Sequence, residues 1–273
     1  MGPPCPVSVH PSASNLPRAG CTTSAPLSVV FPAGCRICDR MLTEATRIPI
    51  CNQCLGSFQQ ILGTVCDKCG TPVEGAPAEN QRPFICPRCT NPDYRSLAFD
   101  RVRSWSFYDG AMVQAILFLK FENIDPLGEL FARLLAEMAV LGGPAFEADG
   151  VVPVPLHRRR QRERGYNQTA LIAKPLARRL GLPYKSVLLT RIRPRPESIC
   201  SLSMSVGSPF VALLPHVRAS QVDNLRVLLV DDVMTTGATL DSCAKTLRDA
   251  GAKSVTGLTV ARARLRNAAE HLR

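Results

Sequence analysis

Two groups of residues in this sequence have the types and spacing for chemistry. Eight of its twelve cysteines form four C-x-x-C pairs: Cys35 and Cys38, Cys51 and Cys54, Cys66 and Cys69, Cys86 and Cys89. Each pair brings two thiolates to one knuckle, and two knuckles separated by about a dozen residues complete a closed tetrahedral four-thiolate site of the structural zinc type. Eight ligands make two zinc sites. A sequential assignment and a crossed one use the same residues, and spacing does not choose between them. Neither set leaves an open position or has a histidine nearby, which argues against a catalytic zinc. The second group is Val227 to Leu240, VLLVDDVMTTGATL. Asp231 and Asp232 can accept hydrogen bonds from the vicinal hydroxyls of a sugar. Thr235, Thr236, Gly237, Ala238 and Thr239 offer hydroxyls and free backbone N–H groups where a helix begins, which is a cradle for phosphate.

The elements that must position these residues follow from periodicity. Val227 to Val230 is an unbroken aliphatic run, the signature of a parallel strand covered on both faces, and the two aspartates are expected to close it at the carboxyl edge of the sheet. Leu240, Ala244, Leu247 and Ala250 have helical spacing, so the threonine-rich loop opens a helix. Upstream, Val102, Trp105 and Phe107 suggest a short strand, turned by Tyr108-Asp109-Gly110 into two helices. The first carries Met112, Ile116, Leu117 and Leu119; the second carries Leu127, Leu130, Phe131, Leu134, Leu135 and Met138 and ends at Gly142 and Gly143. Lys120, at the end of the first helix, can reach a phosphate. A strand VVPVP is then expected to deliver a basic loop, His157 to Arg164, followed by a helix capped by Asn167 or Thr169. Guanidinium forks at a strand end suit pyrophosphate, and equally the backbone of a nucleic acid. A last strand is expected around Val255 to Val260, with a basic tail in which Arg262 either faces the site or is solvated.

Composition sets the bounds. The 273 residues, 45% hydrophobic, allow one large or two modest domains with a real core. A net charge of +11 draws polyanions. No apolar run is long enough to span a bilayer, and AILFLKF is interrupted by Lys120. Cysteines at ligand spacing favour metal and a reducing cytoplasm. The opening stretch lacks the basic start and apolar core of a signal peptide and has the proline and serine content of a disordered leader or of a misplaced start. Cys5 and Cys21 take no role, and Cys200 and Cys243 are expected to be ordinary buried or half-buried thiols. There is no Walker loop.

The VDDVMTTGATL stretch resembles the phosphoribosyl-pyrophosphate motif of type I phosphoribosyltransferases. That resemblance implies Asp231 and Asp232 on the ribose hydroxyls and Thr235 to Thr239 on the 5′-phosphate. It also implies the basic loop, with Arg164 and Asn167 as preferred contacts, on the pyrophosphate. The order of motifs, cysteine pairs, LKF, VPVPLH, RGYNQ and then VDDVMTTGATL, resembles the ComF/GntX-like family, which is associated with DNA uptake in natural competence. The fold implied is an α/β phosphoribosyltransferase-like parallel sheet flanked by helices, preceded by a small zinc-ribbon module. The expected division is a disordered leader over 1–30, a double zinc ribbon over 31–95 and a phosphoribosyltransferase-like domain over 96–273. The implied ligands are two zinc ions, Mg²⁺ and phosphoribosyl pyrophosphate. The implied activity is phosphoribosyl transfer to an unidentified acceptor with no general base assigned, or else non-catalytic binding of single-stranded DNA or DNA-uptake proteins. One segment departs from the family pattern. Arg191 and Arg193 survive and Phe210 can stand for a terminal phenylalanine, but the glutamine, arginine and asparagine between the motifs have no counterpart over 194–210. In type I folds this region resembles the loop that closes over the reaction, so the resemblance implies ligand binding more directly than turnover.

Overall fold

The computed structural model describes residues 34–42, 46–73, 84–91, 97–186, 188–192, 211–215 and 217–264. The expected leader over 1–30, the departing segment 194–210, and Cys5, Cys21 and Cys200 lie outside them. In the cysteine module, single helical turns follow two of the knuckles: α1 (Asn52–Gly56) contains Cys54, and α2 (Pro87–Thr90) contains Cys89 and starts on a proline, whose missing N–H costs nothing at a first turn. Strand β1 (Arg101–Phe107) then enters the sheet, and the helices α3 (Gly110–Phe121) and α4 (Pro126–Leu141) follow as expected, the latter capped by Gly142. Strand β2 (Gly150–Pro153) leads to α5 (Arg158–Arg164) and α6 (Gln168–Leu180). A short hairpin, β3 (Leu189–Arg191) with β4 (Val211–Leu213), precedes β5 (Arg226–Met234), α7 (Ala238–Asp249) and β6 (Ser254–Arg262).

The main sheet has the order β1-β6-β5-β2, and every pairing in it is parallel. A parallel sheet needs both faces covered, and alternation along β5 divides its aliphatic run between two cores. Leu228 and Val230 share a core with α3, α4, α6 and Cys35, Cys51 and Cys54 of the first cysteine set. Val227 and Leu229 face α7, the hairpin and the second set. All four side chains are essentially inaccessible, and burial of each stabilises the fold by about 1.5–3 kcal/mol. No helix among the described residues is long and apolar enough to cross a membrane.

Three expectations about elements need correction. The aspartates do not close β5: the strand continues through Val233 and Met234, which pair with Ala261 and Arg262 of β6. The basic segment after β2 is not a loop but the helix α5, which His157 begins by accepting the Arg159 N–H on Nδ1, and which Gly165 ends in the left-handed conformation. Arg, Gln and Glu are good helix formers, and that propensity prevails here. Arg262 neither lies in a solvated tail nor lines the site. It is 2% exposed at the end of β6 and belongs to the junction with the second cysteine cluster.

Candidate functional site

The cysteines gather sequentially. Cys35, Cys38, Cys51 and Cys54 form one cluster and Cys66, Cys69, Cys86 and Cys89 the other, each with its sulfurs within 4.8 Å of one another. Sγ separations of 3.9 Å for Cys35–Cys54, 3.7 Å for Cys38–Cys51 and 3.7 Å for Cys69–Cys86 are too long for disulfides. They match the edge of a tetrahedron drawn around zinc with bonds of about 2.3 Å, roughly 3.8 Å. The backbone N–H groups of Cys51 and Cys86 point at Cys35 Sγ and Cys66 Sγ, both at 3.3 Å, as donors to thiolates do. Both donor sets therefore fit zinc, and in each the four sulfurs leave no position for a substrate.

At the other site, β5 leads into a tight turn. Asp231, Thr235, Gly237 and Thr239 line a small cleft at the strand end, and α7 starts immediately after Gly237, whose φ of 86° few other residues adopt. Gly237 supplies no side-chain cap, and the Ala238 N–H that opens the helix donates to Thr236 Oγ1 at 3.4 Å. The Asp231 carboxylate accepts the Asp232 N–H at 2.9 Å. Burial, and then the charge of Asp232 beside it, push Asp231 up to about 7. Beneath it Cys243 is buried, and its thiol is pushed up by burial, with the Asp231 charge adding.

Alternation sends Asp232 the other way, toward α3 and α6. Its two oxygens are taken by Lys120 Nζ at 2.9 Å and Gln168 Nε2 at 3.0 Å. Gln168 in turn accepts from Arg164 Nη1 at 3.1 Å, and the Arg164 guanidinium lies 4.5 Å from the centroid of the Phe121 ring, which is 64% exposed. Thus Lys120, Asp232 and Arg164, chosen from sequence, do converge, and Gln168 and Phe121 complete the chain between them. Both of these lie inside the LKF and RGYNQ motifs, a signal that was available. Asn167, the other preferred contact, has its side chain engaged within the fold. It caps α6 by accepting the Thr169 N–H at 3.2 Å, and its amide donates to the Val154 carbonyl at 3.1 Å. Tyr166 fixes the same turn to α3 through Leu119 O at 2.7 Å.

The second cysteine cluster abuts this site. Arg88, between Cys86 and Cys89, donates from Nη2 to the carbonyl of Thr236 in the threonine loop at 3.1 Å. Arg262 donates to Cys69 O at 2.8 Å and Thr71 Oγ1 at 2.7 Å, and Arg103 of β1 donates to Cys66 O and Asp67 O. Gly70 approaches β1 so closely that a Cβ there would sit 2.5 Å from the Val102 carbonyl oxygen. Nothing in the local sequence around Arg88 or Arg262 announces these contacts.

Comparison with known proteins gives two family models: a double zinc ribbon domain over residues 26–90 and a phosphoribosyl transferase domain over residues 168–270. The chain is 30% identical over 234 residues to the DNA utilization protein YhgH of Salmonella typhi, covering 83% of this chain and 96% of that one. Competence protein F of Haemophilus influenzae is 27% identical over 78% of this chain and 96% of its own length. Competence protein ComFC of Bacillus subtilis is 28% identical over 78% and 84% respectively.

Proposed function

Because the chain belongs to the ComF family, which holds competence protein F, ComFC and the YhgH proteins, we propose that it binds phosphoribosyl pyrophosphate with Mg²⁺ and transfers the phosphoribosyl group to an acceptor. On this reading residues 31–95 are the double zinc ribbon, residues 96–273 the phosphoribosyltransferase-like domain, and the protein works in the reducing cytoplasm. The observation that carries the proposal is the cleft in which the Asp231 carboxylate faces the Thr235–Thr239 turn at the carboxyl end of β5.

We assign the roles on this reading as follows. Thr235, Thr236, Gly237, Ala238 and Thr239 hold the 5′-phosphate with hydroxyls and N–H groups at the positive end of α7. Asp231 accepts the ribose hydroxyls. Asp232 supports it from behind, since both its oxygens already serve Lys120 and Gln168. Lys120 and Arg164 present positive charge where pyrophosphate departs, and Phe121 holds the guanidinium in place. Asp231 is a hard oxygen donor of the kind Mg²⁺ takes, one carboxylate alongside substrate phosphates. The ion, when bound, offsets pyrophosphate charge. Charge developing at the anomeric carbon is met by the fixed carboxylates, an electrostatic contribution. The test is calorimetric titration with phosphoribosyl pyrophosphate and Mg²⁺. We expect saturable binding that Asp231→Asn abolishes; a folded, zinc-loaded protein that shows no heat of binding overturns the reading.

A second reading draws on α5. Arg159, Arg160 and Arg162 are exposed on one short helix beside the site, and the relatives are named for competence and DNA utilization. These arginines suit the phosphates of single-stranded DNA. Affinity that falls steeply with salt, with a shallower slope in Arg160→Ala/Arg162→Ala, supports it; a slope the double variant leaves unchanged rejects it.

A further inference from the structure

We infer that Arg88 of the second cysteine cluster is a positioning residue for the phosphate loop, so that this cluster forms the outer wall of the ligand site as well as a structural staple. The inference rests on the reading that the Thr235–Thr239 turn takes the 5′-phosphate.

The argument starts from the peptide group between Thr236 and Gly237. It is planar and trans, so its carbonyl and its N–H point in opposite directions. Arg88 holds the Thr236 carbonyl outward at 3.1 Å, and the Gly237 N–H is thereby aimed the other way, toward the cleft that Gly237 lines with Thr235 and Thr239. Glycine at φ 86° allows this peptide to rotate with little steric resistance, so something outside the turn must select one orientation.

The cluster is a firm anchor for that grip. Its four cysteines are all buried, Arg262 and Arg103 bind its carbonyls from β6 and β1, and Gly70 sits against Val102 at backbone contact distance. Lys68, between Cys66 and Cys69, donates to Leu97 O at 2.9 Å and lies 5.6 Å from the Phe99 ring centroid. Phe99 and Met234 form the floor under Gly237, and the neighbouring Ala98 N–H binds Asp241 in the first turn of α7 at 2.6 Å. Floor, first helical turn and outer carbonyl of the phosphate loop therefore all refer to one four-cysteine cluster. Charge adds a second reason for an arginine there. Four thiolates around one zinc carry two net negative charges, which oppose a phosphate bound nearby, and the guanidinium reaching from knuckle to loop offsets them.

The experiment compares wild type with Arg88→Ala and Arg88→Gln by titration with ribose 5-phosphate and, separately, with inorganic pyrophosphate. Zinc content and amide hydrogen exchange of residues 235–239 are measured alongside. We expect two zincs per chain throughout, ribose 5-phosphate affinity reduced about tenfold in both variants, pyrophosphate affinity within about twofold of wild type, and faster exchange confined to the loop. Unchanged ribose 5-phosphate affinity overturns the inference while leaving the site intact. An equal loss for both ligands without faster exchange also overturns it, because Arg88 then acts only as a general positive charge. If wild type binds neither ligand, the reading of the site has failed, and the exchange measurement alone decides whether Arg88 holds the loop.

Discussion

The two cysteine clusters have the same ligands and the same tetrahedral spacing but occupy opposite faces of the sheet, and their neighbours differ in kind. The first leaves Cys38 exposed and packs into the helical face through Cys35, Ile50 and Cys54, with Arg36 at its edge pairing with Glu122 at 2.6 Å and lying over Phe118. Its remaining tie to the sheet includes the Ile61 N–H on Trp105 O. The second is buried at all four sulfurs and is bound by cationic side chains to β1, β6 and the threonine loop. The same metal motif has been used once as a peripheral brace and once as part of a wall.

That difference can be broken open by substitution, beginning where the effect is largest. Cys86→Ser should lose one zinc and most cooperative folding, since structural zinc contributes on the order of 10 kcal/mol, and ribose 5-phosphate binding should go with it; Cys38→Ser should also lose one zinc but melt at a higher temperature than Cys86→Ser and retain more of that binding. Metal analysis and thermal melts check both. Lys120→Ala strands the buried Asp232 carboxylate and should cost about 3–5 kcal/mol in urea denaturation.

A pH series sharpens the contrast at intermediate size. The folded value of Asp231, about 7, lies above the ordinary carboxylate value. The folded chain thus holds an extra proton between about pH 4 and 7, and stability from this group is full below that window and lost as pH rises through it. Denaturation midpoints of Asp231→Asn should show no such fall from this position, while ligand binding that needs the carboxylate should strengthen in wild type from about pH 6 to 8. Smallest of all, Arg36→Ala breaks a pair exposed by 49% and 36%, worth about 0–1 kcal/mol, and should leave the melting temperature nearly unmoved.

Sequence legibility followed the range of the contacts. The strand, the turn and α7 are continuous in the chain, so their residues could be chosen from Val227 to Leu240 alone, and the cysteine pairs announced their metal by spacing. The end of β5 was misplaced because Val233 and Met234 are held by partners in β6, which no local pattern records. Helix α5 was missed for the opposite reason: its propensity and Gly165 cap were visible, but a basic segment after a strand was read for its charge. Gln168 reaches Asp232 across 64 residues, Arg88 reaches Thr236 across 148 and Arg262 reaches Cys69 across 193. Side chains that close such distances have ordinary neighbours in sequence, and only the folded sheet distinguishes them.

Strand order gives β6 a further significance, in time. It lies between β1 and β5 although it follows both along the chain, so no nascent polypeptide shorter than residue 262 can close this sheet. The cysteine knuckles need only nearby chain and can take up metal as soon as they emerge. Arg262, which fastens Cys69 and Thr71, arrives 173 residues after Cys89, roughly 10–35 s later at ordinary rates of synthesis. Through that interval the second cluster has only its own ligands and the nearby contacts of Leu97, Val102 and Arg103 to hold it, and its fastening to β6 comes last.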